Sequence, residues 1–315
     1  MRRHAPSSAR GAAEATERQS SLLTARAGKG SGVKLVPIME RLGRFALNRR
    51  GFQSRWLHTE VAPVHVYDAP GKGTLPTTIL LHGIGSAATP FAPVMARIAP
   101  HVRRVIAPDY PGHGFSGAPR LKLTPEALFG AMEDALAQAA DEPAVVVGNS
   151  LGGALALRYA IDRPERVRAL VLVSPAGARM TDDEWSALRA SFDLQNVRDA
   201  HEFIDRVYHQ RPWFAPIMAR ELPDVLRRAA VRDILESATP HHGPEPDELS
   251  ALPMPILFLW GRSERLLPAS NLAYFREHLP PHATFEEPDS VGHCPHLDDP
   301  AWLARRIVAF ARQLT

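Results

Sequence analysis

The sequence predicts an α/β architecture: a mostly parallel sheet covered by helices on both faces, with a helical insertion late in the chain. Three observations predict it. Short, near-continuous apolar runs at 77–82, 102–107, 144–147 and 168–174 alternate with helical patterns, the mark of strands buried on both faces. That rhythm stops over 178–250, which is polar and helical and too long for an ordinary loop. A Gly-x-Ser-x-Gly stretch at 148–152 sits where an apolar run gives way to a helix.

Composition fits such a domain. With 315 residues, 45% apolar and 23% charged, the bulk of the chain is neither disordered nor fibrous. No apolar run approaches the roughly 18 residues that a spanning helix needs. One cysteine, Cys294, leaves no internal disulfide and no Cys-rich zinc site. The net charge of +3 is unevenly placed. Residues 1–55 hold twelve Lys/Arg against Glu14, Glu17 and Glu40, an excess of +9, so the remainder of the chain stands at −6. The basic character belongs to the N-terminal arm, and nucleic acid is not an expected partner of the domain.

Residues 1–31, rich in Ala, Ser, Gly and Arg, lack the large side chains that offset ordering entropy and read as a disordered extension. No apolar h-region is present, and a cytoplasmic location is expected. Within 32–55, Leu35, Ile38/Met39, Leu42 and Phe45/Ala46 recur at helical spacing among Arg41, Arg44, Arg49 and Arg50. This amphipathic helix has two uses: packing on the domain edge, the commoner fate of such helices, or peripheral membrane contact through 33–50.

Residues 56–60 and 64–68 alternate and form two strands around a turn. The run at 77–82 is a third strand, 90–99 a helix and 102–107 a fourth strand. Thr124 as N-cap, Pro125 behind it and Glu126 in the first turn open a helix over 124–140. Strand 144–147, helix 151–161 and strand 168–174 follow. After the insertion come strand 255–260, helix 269–278, strand 283–287 and helix 301–313. The core is therefore assigned to 56–177 and 251–315, with 178–250 as a helical cap after strand 6 of eight.

The chemistry starts at Gly148-Asn149-Ser150-Leu151-Gly152. A serine on a strained strand-to-helix turn projects its Oγ above a sheet, and its neighbours must be small. Serine needs a base for its proton, and the base needs an orienting acid. His293, in Val291-Gly292-His293-Cys294-Pro295-His296, is the candidate base. Glu264 follows a late strand and is the candidate acid; Glu277 lies near the end of the next helix and is poorly placed. Along the chain the three run in the order Ser, acid, His.

Those stretches together make the chain resemble the α/β-hydrolase fold superfamily, in particular its serine-nucleophile, cap-bearing, esterase- and lipase-like members, over about residues 56–315. His82-Gly83-Ile84-Gly85 resembles the oxyanion loop after strand 3. Asp109-Tyr110-Pro111-Gly112-His113-Gly114-Phe115-Ser116 resembles the loop after strand 4, and Gly148–Gly153 the nucleophile elbow. The stretch 260–268 resembles the acid loop, with Glu264 where the family usually carries Asp, and 292–300 resembles the histidine loop. The resemblance implies that Ser150 attacks a carbonyl, His293 takes and returns its proton, and Glu264 orients the imidazole. It also implies an oxyanion hole from the backbone N–H groups of Ile84 and Leu151, and no metal or organic cofactor.

Serine at the elbow argues against the family's epoxide hydrolases and haloalkane dehalogenases, which use Asp there, and a hydrolase of small-molecule esters or thioesters is the expected function. Cap aromatics, represented by Trp185, Trp213 and Phe214, are candidates for a lipophilic acyl or alcohol pocket. Hydrolysis of a C–C bond, acyl transfer with the same triad, and a non-catalytic ligand sensor are the alternatives; Cys294 stands where C–C hydrolases often carry an aromatic.

Overall fold

Residues 145–147, three valines, have no polar side to turn to water, and they lie fully buried in the middle of an eight-stranded sheet. The computed structural model describes residues 34–314; the extension expected over 1–31 lies outside them. From Leu35 onward the chain forms one compact unit. Helix α1 (Leu35–Asn48) is followed by β1 (Gln53–His58), β2 (Pro63–Pro70), β3 (Thr78–Leu81), α2 (Ala92–Ile98) and β4 (Arg104–Pro108). Then come α3 (Pro125–Ala139), β5 (Ala144–Ser150), α4 (Leu151–Asp162) and β6 (Val167–Pro175).

The region between β6 and β7 is helical throughout: α5 (Asp182–Ser191), α6 (Val197–Val207), α7 (Ala215–Leu226), α8 (Ala229–Ser237) and α9 (Pro246–Ser250). The chain closes with β7 (Ile256–Leu259), α10 (Ala269–His278), β8 (Thr284–Glu286), the single turn α11 (Pro295–Asp298) and α12 (Pro300–Arg312). Strand order is β1-β2-β4-β3-β5-β6-β7-β8. Strand β2 runs antiparallel to both of its neighbours and every other pairing is parallel.

Alternate residues of each central strand feed opposite cores. Ile79, Leu81, Val146, Leu170, Leu172 and Phe258 pack with Leu128, Met132 and Leu136 of α3. Leu80, Val145, Val147, Val171, Leu257 and Leu259 pack with Met95 and Ile98 of α2 and with Leu303 and Ile307 of α12. Burying one such aliphatic side chain contributes roughly 1.5–3 kcal/mol, so these double-sided strands anchor the loops at their ends. Helix α3 starts as its residues require: Thr124 Oγ1 accepts from the Ala127 N–H at 3.3 Å, and Pro125 stands at the first position, where no N–H is missed.

Two elements depart from the sequence reading. Strand β1 begins at Gln53 instead of residue 56, because its pairing with β2 extends from His58 opposite Pro63 back to Gln53 opposite Asp68. Helix α1 forms, but its apolar stripe points away from the domain. Ile38, Met39, Leu42 and Phe45 are exposed, and only Leu47 is fully buried. Among the described residues no helix is long and apolar enough to cross a membrane.

Candidate active site

Ser150 ends β5 and sits at φ 55° and ψ −120°, a backbone conformation that non-glycine residues rarely adopt. Holding a residue there costs on the order of 1–3 kcal/mol. The glycines around it make the turn sterically possible. A Cβ on Gly148 would lie 2.1 Å from the Gly152 carbonyl oxygen, and one on Gly152 would lie 2.2 Å from that of Leu81. Helix α4 starts at Leu151, and the Ser150 side chain does not cap it. The first N–H groups of that helix have no intrahelical acceptor, so they can serve an anion held over Ser150.

His293 lies between β8 and α11, and Glu264 follows β7. Their side chains are almost wholly buried, and His293 Nδ1–H donates to Glu264 Oε2 at 2.7 Å. The other carboxylate oxygen, Oε1, accepts the backbone N–H groups of Leu266 at 2.8 Å and Leu267 at 3.0 Å. Burial opposes the Glu264 charge, but His293 and these two N–H groups outweigh it and hold the carboxyl below the ordinary glutamate range. The acid is therefore ionised and held from both sides.

Asn149, beside the serine, ties the elbow to the histidine loop. Its Nδ2 donates to the His293 carbonyl at 2.8 Å and to that of Val173 at 3.0 Å, while its Oδ1 receives the Cys294 thiol at 3.5 Å. Burial, reinforced by Glu264 and Asp298, pushes the Cys294 thiol well above its ordinary range, which keeps it protonated. Asp298 fixes the other side of the loop by accepting the Gly292 N–H at 2.8 Å.

The turn after β3 is set by a second histidine. The Tyr110 N–H donates to His82 Nε2 at 3.3 Å, so the ring proton is on Nδ1, which donates to the Gly83 carbonyl at 2.8 Å. Burial, aided by His113, drives the His82 value down to about 3, so this ring is neutral. Tyr110 Oη donates to the His82 carbonyl at 2.6 Å, and the two rings stack. Asp109 braces the same region: Oδ1 accepts the Ala88 N–H, and Oδ2 accepts the Phe115 N–H and His65 Nδ1–H. His65 was not singled out from the sequence; an isolated histidine on a strand carries no signal of a partner 44 residues away.

These loops open onto one cavity of about 740 Å³, its mouth included, lined by Ile84, Ser150 and His293. Most of the remaining wall is apolar and comes largely from the insertion, through Phe192, Phe203, Val207, Met218, Leu222 and Leu226, with Ser86, Asn149 and His296 among its polar members. The three aromatics chosen from the sequence are elsewhere. Trp213 is 87% exposed and packs edge-on against Phe214 at the start of α7; Trp185 packs against the main core. None of the three lines this cavity. Helix phase decides this: Phe203 and Val207 share the inward face of α6, whereas Trp213 and Phe214 precede the first turn of α7.

The insertion is clamped to the loops that carry Glu264 and His293. Arg265 donates to the Tyr208 carbonyl at 2.6 Å, the His209 N–H donates to Asp298 Oδ1 at 3.0 Å, and His209 Nδ1 meets Ser263 Oγ at 2.7 Å. His242 pairs with Glu126 at 2.9 Å, and among the described residues no group of three or more His, Cys, Asp or Glu is placed to hold a metal ion.

Comparison with known proteins follows the same lines. The family model described as the alpha/beta hydrolase family matches residues 78–306. A pimeloyl-[acyl-carrier protein] methyl ester esterase from Xanthomonas oryzae pv. oryzae is 30% identical over 266 residues, 77% of this chain and 98% of that protein. Its counterpart from Yersinia enterocolitica is 28% identical over 256 residues, 75% of this chain and 93% of that protein. Among solved structures, a bacterial membrane phospholipase A superposes with a TM-score of 0.76 at 21% identity, covering 96% of this chain and 99% of that one. A carboxylesterase from Bacillus subtilis gives 0.66 at 22%, covering 86% and 98%. With its core strands, its elbow and most of its length matched, the chain belongs to the alpha/beta hydrolase family.

Proposed function

We propose that the protein hydrolyses a neutral, lipophilic carboxylic ester or thioester through an acyl-enzyme on Ser150. The observation that carries the reading is that His293, held by buried Glu264 at 2.7 Å, lines the same cavity as a serine on a strained turn. His293 takes the Ser150 proton as Oγ attacks the substrate carbonyl carbon, and Glu264 stabilises the imidazolium. The N–H groups of Leu151 and Ile84 receive the oxyanion; losing one such donor typically costs about 10²–10³ in rate. Collapse expels the alcohol or thiol with the proton from His293. Water, deprotonated by the same imidazole, then attacks the acyl-enzyme and releases the acid.

The lining supports a neutral, lipophilic substrate. The apolar wall offers an acyl chain contact along its length, and no Lys or Arg lines the cavity to receive a carboxylate. The relatives named as methyl ester esterases support ester cleavage. A panel of uncharged p-nitrophenyl esters from acetate to palmitate tests the reading: kcat/KM rises with chain length to an optimum at medium length and vanishes in Ser150→Ala. Faster turnover of short acidic esters than of neutral ones would contradict it.

A further inference from the structure

We propose that the outward face of α1, together with the start of α7, docks this protein on an anionic lipid surface. Amphipathic helices normally bury their apolar stripe. Here Ile38, Met39, Leu42 and Phe45 are 37%, 59%, 56% and 60% exposed. The side turned to the domain is made of other residues: Leu47 is buried, Gly43 lies against Thr89, and Glu40 is partly withdrawn from water. Arg41, Arg49 and Arg50 are exposed around the stripe, with the Arg49 guanidinium 5.8 Å from the Phe45 ring.

Helix α7 continues the patch. Trp213, Phe214 and Ile217 are exposed at its start. One turn after Ile217, the Glu221 carboxylate accepts the N–H groups of Leu35 and Val36, the latter at 2.8 Å. The two apolar sets therefore flank a hydrogen-bonded junction between the helices. Aromatic side chains with basic neighbours suit the headgroup boundary of a bilayer.

Charge selects the occupant. Residues 35–50 carry four Arg against Glu40 alone, while residues 56–315 are net negative. A second copy pairing through this face would set arginine against arginine, because a two-fold interface brings like surfaces together. An anionic lipid surface complements it. Helix α7 would then carry both functions: Met218, Leu222 and Leu226 form cavity wall, and Trp213, Phe214 and Ile217 meet the lipid.

The test uses full-length Ser150→Ala protein, so that binding is read without turnover, and vesicles of phosphatidylcholine with or without phosphatidylglycerol. Sedimentation shows binding to the anionic vesicles, weakened by salt, and weak binding to the neutral ones. Leu42→Glu/Phe45→Glu lowers the partition coefficient by about tenfold or more. In the Ser150 background the same pair leaves turnover of a water-soluble ester unchanged, which separates this proposal from the catalytic one. Equal binding by the parent and the double variant would overturn it. So would a dimer in light scattering that the double variant abolishes.

Discussion

Replacing Glu264 by Gln keeps the shape of the side chain and removes one acceptor, and the structure sets the consequence. The carboxylate serves three donors: His293 Nδ1–H at 2.7 Å on one oxygen, and the N–H groups of Leu266 and Leu267 at 2.8 and 3.0 Å on the other. A glutamine amide has one oxygen. If its NH₂ faces the two backbone donors, two buried bonds are lost, at about 1–3 kcal/mol each. If its oxygen stays with Leu266 and Leu267, the NH₂ faces His293 Nδ1, and a single bond changes character. The second arrangement is favoured. It makes Nδ1 an acceptor and moves the ring proton to Nε2, the nitrogen that the proposed mechanism needs free to receive the serine proton. Glu264→Gln therefore lowers kcat by about 10⁴, equivalent to about 5 kcal/mol of barrier, with a melting temperature within a few degrees of the parent. Steady-state turnover of a soluble aryl ester at pH 8 reads the first quantity, and thermal melting reads the second. A folded Gln variant within about tenfold of the parent rate would refute the reasoning.

Other outcomes follow from the same contacts. Asn149→Ala removes the donors to the His293 and Val173 carbonyls, so it costs about 2–4 kcal/mol of stability in urea unfolding. It also lowers kcat more than it raises KM; an unchanged kcat would deny Asn149 its role in positioning the histidine loop. His82 and His296 are buried, which drives both rings down to about 3, with His113 adding to the effect on His82 and His293 and His82 to that on His296. The unfolded chain takes up these protons first, near pH 6.5, so the associated stability is complete above 6.5 and falls as pH drops toward 3. The loss is about 1.4 kcal/mol per pH unit for each ring. His296 stacks on Phe91 at 4.1 Å; His296→Phe retains a ring there and reduces the slope of stability between pH 6.5 and 5 by one ring's share. An unchanged slope would show that this ring does not titrate as its burial requires.

Much of the architecture is legible in the chain because its signals are local. Valines at 145–147, the Thr124 cap and the spacing of Gly148, Ser150 and Gly152 each report on their own few residues, and each marks a structural boundary. Glu264 and His293 are legible by position after late strands, although nothing local shows that they meet. The braces are hidden for that reason. Asn149 looks like a spacer within the motif, and Asp298 like an ordinary helix-entry residue, until the fold brings distant loops to them. Aromatic content pointed to Trp185, Trp213 and Phe214, yet orientation on a helix decides what lines a cavity, and Phe192, Phe203 and Tyr208 do so. In α1 the period announces a stripe, but periodicity carries no information about which way the stripe faces.

The most direct test of the central claim is intact-mass measurement after exposure to a fluorophosphonate, on the full chain and on Ser150→Ala. An activated serine takes one adduct in the parent and none in the variant, and Glu264→Gln slows labelling in step with its loss of turnover. An adduct of equal stoichiometry on folded Ser150→Ala, or none on a folded parent that still cleaves esters, would contradict nucleophilic catalysis by Ser150.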